Sequence, residues 1–175
     1  MALLKIVHYP DEPLTRVAVP VGAEEFGDAL IQFANDMLET MDHNQGVGLA
    51  APQVGVSKRI FVLCEPEGEP MCFINPELTL SGTREYGEEG CLSLPKLYAK
   101  VPRATSLQVR ALDVLGNPVE LEADGFLARI IQHEYDHLDG IVFPDRLDVF
   151  TREDALKQWD TLRREAKAES SKKVS

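Results

Sequence analysis

Apolar residues near the start of the chain recur with a helical period. Phe26, Leu30, Phe33, Met37, Leu38 and Met41 fall at steps mostly of three and four, which predicts an amphipathic helix from Glu24 to Met41. His43-Asn44-Gln45-Gly46 reads as the loop that ends it. The pattern then turns β-like. Lys58–Cys64, centred on Ile60-Phe61-Val62-Leu63, and Met71–Ile74 read as two strands joined by the Pro- and Gly-rich turn 65–70. Leu78–Leu80, Thr105–Leu112 and Pro118–Leu121 read as further strands, the last two joined at Gly116-Asn117. A second helix is predicted from about Gly125 to Leu138, with Asp124 as N-cap and Gly140 as its stop. A third runs from about Arg152 to Ala168. Antiparallel strands with separate helices indicate an α+β fold: short antiparallel sheets around a central helix, with N-terminal and C-terminal helices.

Composition narrows this picture without changing it. A chain of 175 residues, 44% hydrophobic and 27% charged, suits one domain with a sizeable core. No apolar run is long enough to cross a bilayer, and Met1–Lys5 lacks the features of a signal peptide, so no membrane association and a cytoplasmic location are expected. Three cysteines, an odd number, argue against a disulfide framework. The net charge of −11 argues against general nucleic-acid binding, DNA included. The charge is uneven. Residues 152–175 carry seven basic and five acidic side chains, net +2, leaving −13 on residues 1–151.

The central helix holds the chemistry. His133-Glu134-Tyr135-Asp136-His137 places two imidazoles four residues apart on one helix face, which suits adjacent positions on one metal ion. Glu134 stands beside them and can handle the proton of a water on that metal. The bland alternative is a pair of surface histidines. Half of the chain's four histidines fall here, on the strongly apolar run Phe126–Ile131, and a buried histidine needs a partner.

A catalytic metal site usually needs a third protein ligand. The metzincin pattern is excluded, because Phe143 stands where its last histidine belongs. Glu153 and Glu165 are available downstream but read as solvated residues of a charged helix. Cys91 is favoured: it lies in Gly87-Glu88-Glu89-Gly90-Cys91-Leu92-Ser93, read as a polar loop whose glycines let the backbone approach a metal closely. Cys64 and Cys72 sit in apolar strands and read as small core hydrophobes.

Three blocks stand in order: Gly46-Val47-Gly48-Leu49-Ala50-Ala51-Pro52-Gln53, Glu89-Gly90-Cys91-Leu92-Ser93, and Gln132-His133-Glu134-Tyr135-Asp136-His137-Leu138-Asp139-Gly140. Together the sequence resembles the peptide deformylases, which remove the N-formyl group from the initiator methionine of new bacterial and organellar proteins. The resemblance spans the chain to about residue 150. It implies a catalytic domain over 1–150, with 151–175 a C-terminal helix and flexible basic tail of the same domain. It implies that Cys91, His133 and His137 hold one divalent metal ion, natively Fe²⁺, with Zn²⁺, Ni²⁺ or Co²⁺ able to take the same site. A water activated there attacks the formyl carbon, and Glu134 acts as general base and then general acid. Gln53 and the backbone N–H of Leu92 stabilise the charge that develops on the carbonyl oxygen.

The resemblance also implies that a formyl-methionyl nascent peptide pairs as an added strand against Gly46, Val47 and Gly48, with Glu89 and Gly90 beside it. Phe126 and Ile130 share the helix stripe of Glu134 and His137. They line the methionine pocket or fill core, and the stripe alone does not separate the two. Some relatives carry a substrate-contacting arginine where this chain has Tyr98. Arg103 matches the family as an ion-pair partner. The chain is expected to be a monomer, and Arg163, Arg164 and Lys167 on the terminal helix suit docking at the ribosome. A true endopeptidase using the same metal chemistry, and a non-catalytic metal or ribosome-binding protein, are the competing readings. The second of these would be expected to lack a base or ligand, and none is missing.

Overall fold

A computed structural model describes residues 2–174, with side chains described through residue 170. Five strands form one antiparallel meander: β1 (Gly48–Ala50), β2 (Ile60–Leu63), β3 (Met71–Cys91), β4 (Leu94–Leu112) and β5 (Pro118–Asp124), hydrogen-bonded in that order. Three α-helices accompany them: α1 (Asp28–His43), α2 (Gly125–Leu138) and α3 (Val149–Val174). The α+β expectation holds, though the strands build a single sheet where several were expected. Among the described residues, no helix is long and apolar enough to cross a membrane.

The first helix starts later than its apolar period suggests. Ala23–Glu25 is a separate 3₁₀ turn, in which Glu25 accepts a hydrogen bond from the Gly22 N–H (2.6 Å) and an ion pair from Lys58 (2.9 Å). Gly27, with φ 155° and ψ −167°, then breaks the chain direction in a conformation that only glycine adopts readily. Asp28 begins α1 beyond that break.

Strand β2 is buried along its whole length because helices cover both faces of the sheet there. Phe61 and Leu63 pack toward Ala128, Ile130 and Ile131 of α2. Ile60 and Val62 alternate to the other side, against Leu30, Met37 and Met41 of α1.

The long β3–β4 hairpin is the main departure from expectation. Its register shifts between Ile74 and Glu77, Ser81 and Arg84, and Gly90 and Cys91, which breaks the alternation that would reveal a strand. Leu78–Leu80 is thus a fragment of a 21-residue strand. The glycine-flanked segment 87–91, expected as a loop, is the paired end of that strand, with Gly90 opposite Tyr98 and Cys91 opposite Leu94. Close approach explains its glycines better than backbone bending does. A Cβ on Gly87 would meet the Arg129 guanidinium at 2.8 Å, and one on Gly90 would meet the Tyr98 ring at 2.6 Å.

The hairpin tip is braced by a third apolar cluster. Leu94, Leu97 and Val101 pack with Val142, Phe143, Ala155 and Trp159, and the Trp159 indole donates to the Tyr9 carbonyl (2.9 Å). The first turns of α3 therefore belong to the body of the protein. The end of the expected basic tail, the side chains of residues 171–175, lies outside the described residues.

Candidate metal centre and active site

Helix α2 enters from β5 with Asp124 at its N-cap position, though the Asp124 side chain makes no capping hydrogen bond. It ends at Gly140, in the left-handed region (φ 74°), where any Cβ would strike the Thr15–Arg16 backbone at 2.9–3.0 Å. The Arg59 guanidinium donates to the Leu138 carbonyl (2.9 Å) and to Asp139 (3.0 Å), closing the same end. A helix fixed at its C-terminus and buried on nearly all sides over residues 130–138 holds its polar residues in a defined direction.

The ligand-bearing atoms of Cys91, His133 and His137 all lie within 4.8 Å of one another. Cys91 Sγ is 3.4 Å from His137 Nε2, and the two imidazole rings are 5.1 Å apart. His133 Nδ1 lies 2.9 Å from Glu89 Oε1. With that N–H donated to the carboxylate, Nε2 keeps its lone pair for a ligand. His137 is 1% exposed, and its burial holds its pKa well below the ordinary imidazole value, so it is neutral. His133 is shifted the other way: burial alone would lower its pKa, but Cys91, Glu134 and Glu89 outweigh that and hold it well above the ordinary imidazole value, so a cation there would displace its proton. A sulfur and two imidazole nitrogens fit a borderline-soft divalent ion with an open position.

Glu134 is 4% exposed, with Oε2 at 4.0 Å from His133 Nε2. Its Oε1 is buried with no hydrogen-bond partner among the described residues. Burial pushes its carboxyl up to about 7. A buried, unpartnered carboxylate beside three ligand groups is what a proton-handling residue requires. Gly48 makes room for it, since a Cβ there would lie 2.5 Å from Glu134 Oε2.

Gln53 is 1% exposed and oriented from both ends of its amide. Its Oε1 accepts the Ala50 N–H at 2.9 Å, so its NH₂ faces Ser93 Oγ (3.3 Å) and Cys91 Sγ (3.5 Å). The 3₁₀ turn Ala51–Val54, with Pro52 inside it, sets this orientation.

These groups open into a cleft of about 590 Å³. Gly46, Val47, Gly48, Gln53, Glu89, Gly90, Cys91, Leu92, Phe126, Ile130, His133 and Glu134 all border it, and only His137 of the expected set lies behind the wall. Ile130 serves both as core and as cleft lining, being 4% exposed in the apolar cluster under α2, whereas Phe126 is half exposed at the mouth. Tyr98 also stands at this mouth, largely exposed.

Glu89 borders the cleft as expected, and both of its oxygens are engaged by protein groups. Arg103 donates to both its oxygens (2.9 Å each), Arg129 to Oε2 (2.6 Å), and His133 contacts Oε1. Burial alone would raise its pKa, but the hydrogen bonds from Arg103 and His133 outweigh that and hold it at about 2. Both oxygens are occupied beneath the ligand histidine. Arg103 in turn donates to buried Asp136 (2.6 Å), whose oxygens also receive Arg146 (2.9 and 2.7 Å). The ion-pair role expected for Arg103 is present. Ser93 and Asp136 lie within the sequence blocks without a role attached, Arg129 is signalled only by the rule that a charged residue in an apolar helix needs partners, and Arg146 carries no signal.

The sequence matches the family pattern described as polypeptide deformylase over residues 3–153. It is 50% identical over 161 residues to a peptide deformylase of Chromohalobacter salexigens, covering 90% of this chain and 94% of that one. The crystal structure of a peptide deformylase from Legionella pneumophila is 42% identical, with a TM-score of 0.86 over 93% of this chain and 96% of the other. The Ehrlichia chaffeensis peptide deformylase, solved in complex with actinonin, is 40% identical, with a TM-score of 0.87 over 94% and 99%. The likeness covers the sheet, the hairpin that carries Cys91 and the helix that carries both histidines. On sequence, fold and the convergence of these groups alike, the chain belongs to the polypeptide deformylase family.

Proposed function

We propose that this chain removes the formyl group from the formyl-methionyl ends of newly made proteins, with Cys91, His133 and His137 as metal ligands, Glu134 as proton carrier, and Gln53 and the Leu92 N–H as oxyanion donors. The observation that carries these roles is the meeting of a hairpin thiol with two helix imidazoles beside a buried carboxylate that has a free oxygen. When bound, the cation makes a water acidic enough to ionise near neutral pH and offers positive charge to a neighbouring oxygen. Glu134 takes the proton of the attacking water on its unpartnered oxygen and delivers it to the departing amine. The Gln53 NH₂, held by Ala50, and the Leu92 N–H in the two-residue hairpin turn donate to the oxygen of the tetrahedral centre, each worth about 3–4 kcal/mol. Glu89 holds the His133 ring in place, a role its four contacts support better than substrate contact.

Strand β1 is at the edge of the sheet, and its outer side has no neighbouring strand among the described residues. An extended peptide adds there as a further strand along Gly46, Val47 and Gly48, passing Gly90, with the methionine side chain against Phe126 and Ile130. The native metal in this reading is Fe²⁺, with Zn²⁺, Ni²⁺ and Co²⁺ as substitutes, and the enzyme works as a cytoplasmic monomer.

The test compares hydrolysis of a formyl-methionyl peptide with that of its N-acetyl counterpart, in protein purified without oxygen and assayed for metal. Formate release from the first alone is expected. Equal cleavage of both, or cleavage at an internal bond, would identify an endopeptidase instead. Docking of α3 on the ribosome through Arg163, Arg164 and Lys167 is tested by reversing those three charges, since Trp159 is needed by the fold. Unchanged co-sedimentation with ribosomes would remove that partner.

A further inference from the structure

The charged groups behind His133 form one continuous chain. Arg146 donates two hydrogen bonds to Asp136, at 2.9 and 2.7 Å. Asp136 accepts Arg103 at 2.6 Å, and Arg103 grips both oxygens of Glu89 at 2.9 Å. Glu89 Oε1 then meets His133 Nδ1 at 2.9 Å. Arg103, Asp136 and Glu89 are all buried, so each depends on its neighbours to offset the cost of a desolvated charge. Arg146 is the outer end, its side chain 42% exposed.

Arg146 also closes the 3₁₀ turn Phe143–Arg146, and Phe143 of that turn stacks on the His133 ring at 6.2 Å between centroids and 27° between planes. One short turn thus reaches His133 twice, through an aromatic ring directly and through four charges indirectly.

We propose that Arg146 is a positioning residue for the metal ligand His133, acting through Asp136, Arg103 and Glu89. Asp136 is shared between two guanidinium groups. If Arg146 is lost, its carboxylate keeps only Arg103 and draws it closer. Arg103 cannot move toward Asp136 without loosening its two-point grip on Glu89, whose Oε1 fixes the imidazole ring. The effect reaches the metal as a change in ring orientation, with no group removed from the coordination sphere. This inference rests on the ligand assignment above.

The experiment loads wild type, Arg146→Gln, Arg146→Lys and Lys58→Gln with Co²⁺. It records the visible absorption bands, the rate of cobalt transfer to a chelator, and kcat and KM. Lys58→Gln is the control, because it removes a half-buried ion pair (2.9 Å), to Glu25, that includes none of the relay's residues. Groups that hold metal-bound histidines typically cost 10–100-fold in affinity when lost, so a residue further out is expected to speed cobalt release by about tenfold or less. Arg146→Gln is expected to shift the bands and lower kcat at unchanged KM. Arg146→Lys, with one contact point in place of a fork, is expected to shift them less in the same direction. Bands and release rates that match wild type in either Arg146 variant overturn the proposal, as does an equal change in Lys58→Gln. Wild type that takes up no cobalt would overturn the ligand assignment, and the relay with it.

Discussion

Gly48→Ala offers a severe test of the active-site geometry, because it adds one methyl group and removes nothing. The new Cβ would sit 2.5 Å from Glu134 Oε2 and 2.9 Å from its Cδ and Cγ. Ordinary contact begins near 3.4 Å, so the carboxylate must retreat by roughly 0.9 Å. The strand itself has no cause to object, since Gly48 pairs with Leu63 in a regular ladder and is not among the positive-φ glycines. Glu134 has little room to yield. It is buried on α2 between His133 and the core, and its backbone is fixed by a helix that cannot shift without moving both metal ligands.

A displacement near 1 Å in a reacting group costs on the order of 10²-fold in rate. Gly48→Ala is therefore expected to lower kcat by about 10–100-fold with metal content and melting temperature close to wild type. The assay is formate release from a formyl-methionyl peptide, read beside metal analysis and a thermal melt. A kcat within twofold of wild type, in protein that holds its metal, would show that Glu134 does not need the position it occupies here.

Glu134→Ala is expected to keep metal while turnover falls by about 10²–10⁴-fold or more, which steady-state kinetics on metal-analysed protein will check. Arg103→Met leaves Glu89 and Asp136 buried without their shared cation, and urea unfolding is expected to show a loss of about 3–5 kcal/mol. Burial pushes the Cys72 thiol from 9.0 up to about 12. The folded chain therefore keeps a proton that the unfolded chain releases above pH 9. Stability from this source is intact below pH 9 and falls as pH rises toward 12, by at most about 1.4 kcal/mol per pH unit. Cys72→Val is expected to flatten the alkaline part of a melting-temperature profile, and an unchanged slope would refute it.

What could be read from the sequence depended on whether a signal was local. Helix α2 was legible because its apolar period, its stop at Gly140 and the pair of histidines agree within 16 residues. Strand β2 was legible because helices on both faces keep it uniformly apolar. Most of β3 was not, because 21 residues with three register shifts expose one face irregularly and interrupt any period of two. The same limit applies to the site. Cys91 stood out through its neighbours, yet the glycines around it proved to admit the side chains of Arg129 and Tyr98 from elsewhere in the chain. The contacts of Glu89 join β3, β4 and α2, and no local window contains them.

The position of Cys91 ties the chemistry to a part of the chain that the family pattern does not reach. Two of the three ligands share a helix and keep their spacing by virtue of its geometry alone. The third arrives at the tip of a long hairpin, where a small rotation of the strands would carry the sulfur out of reach. That tip is fixed by Leu94, Leu97 and Val101 packing against Phe143, Ala155 and Trp159. Both Ala155 and Trp159 lie beyond residue 153, where the match to the family pattern ends. The cluster holds the hairpin only as firmly as α3 is held, and the Trp159 indole meets that need through its hydrogen bond to Tyr9, next to His8 on the cleft wall. The groups that converge on the candidate metal centre therefore lie within the family pattern, while the packing that brings the thiol to the imidazoles also draws on α3, which begins inside that pattern at Val149 and continues past its end.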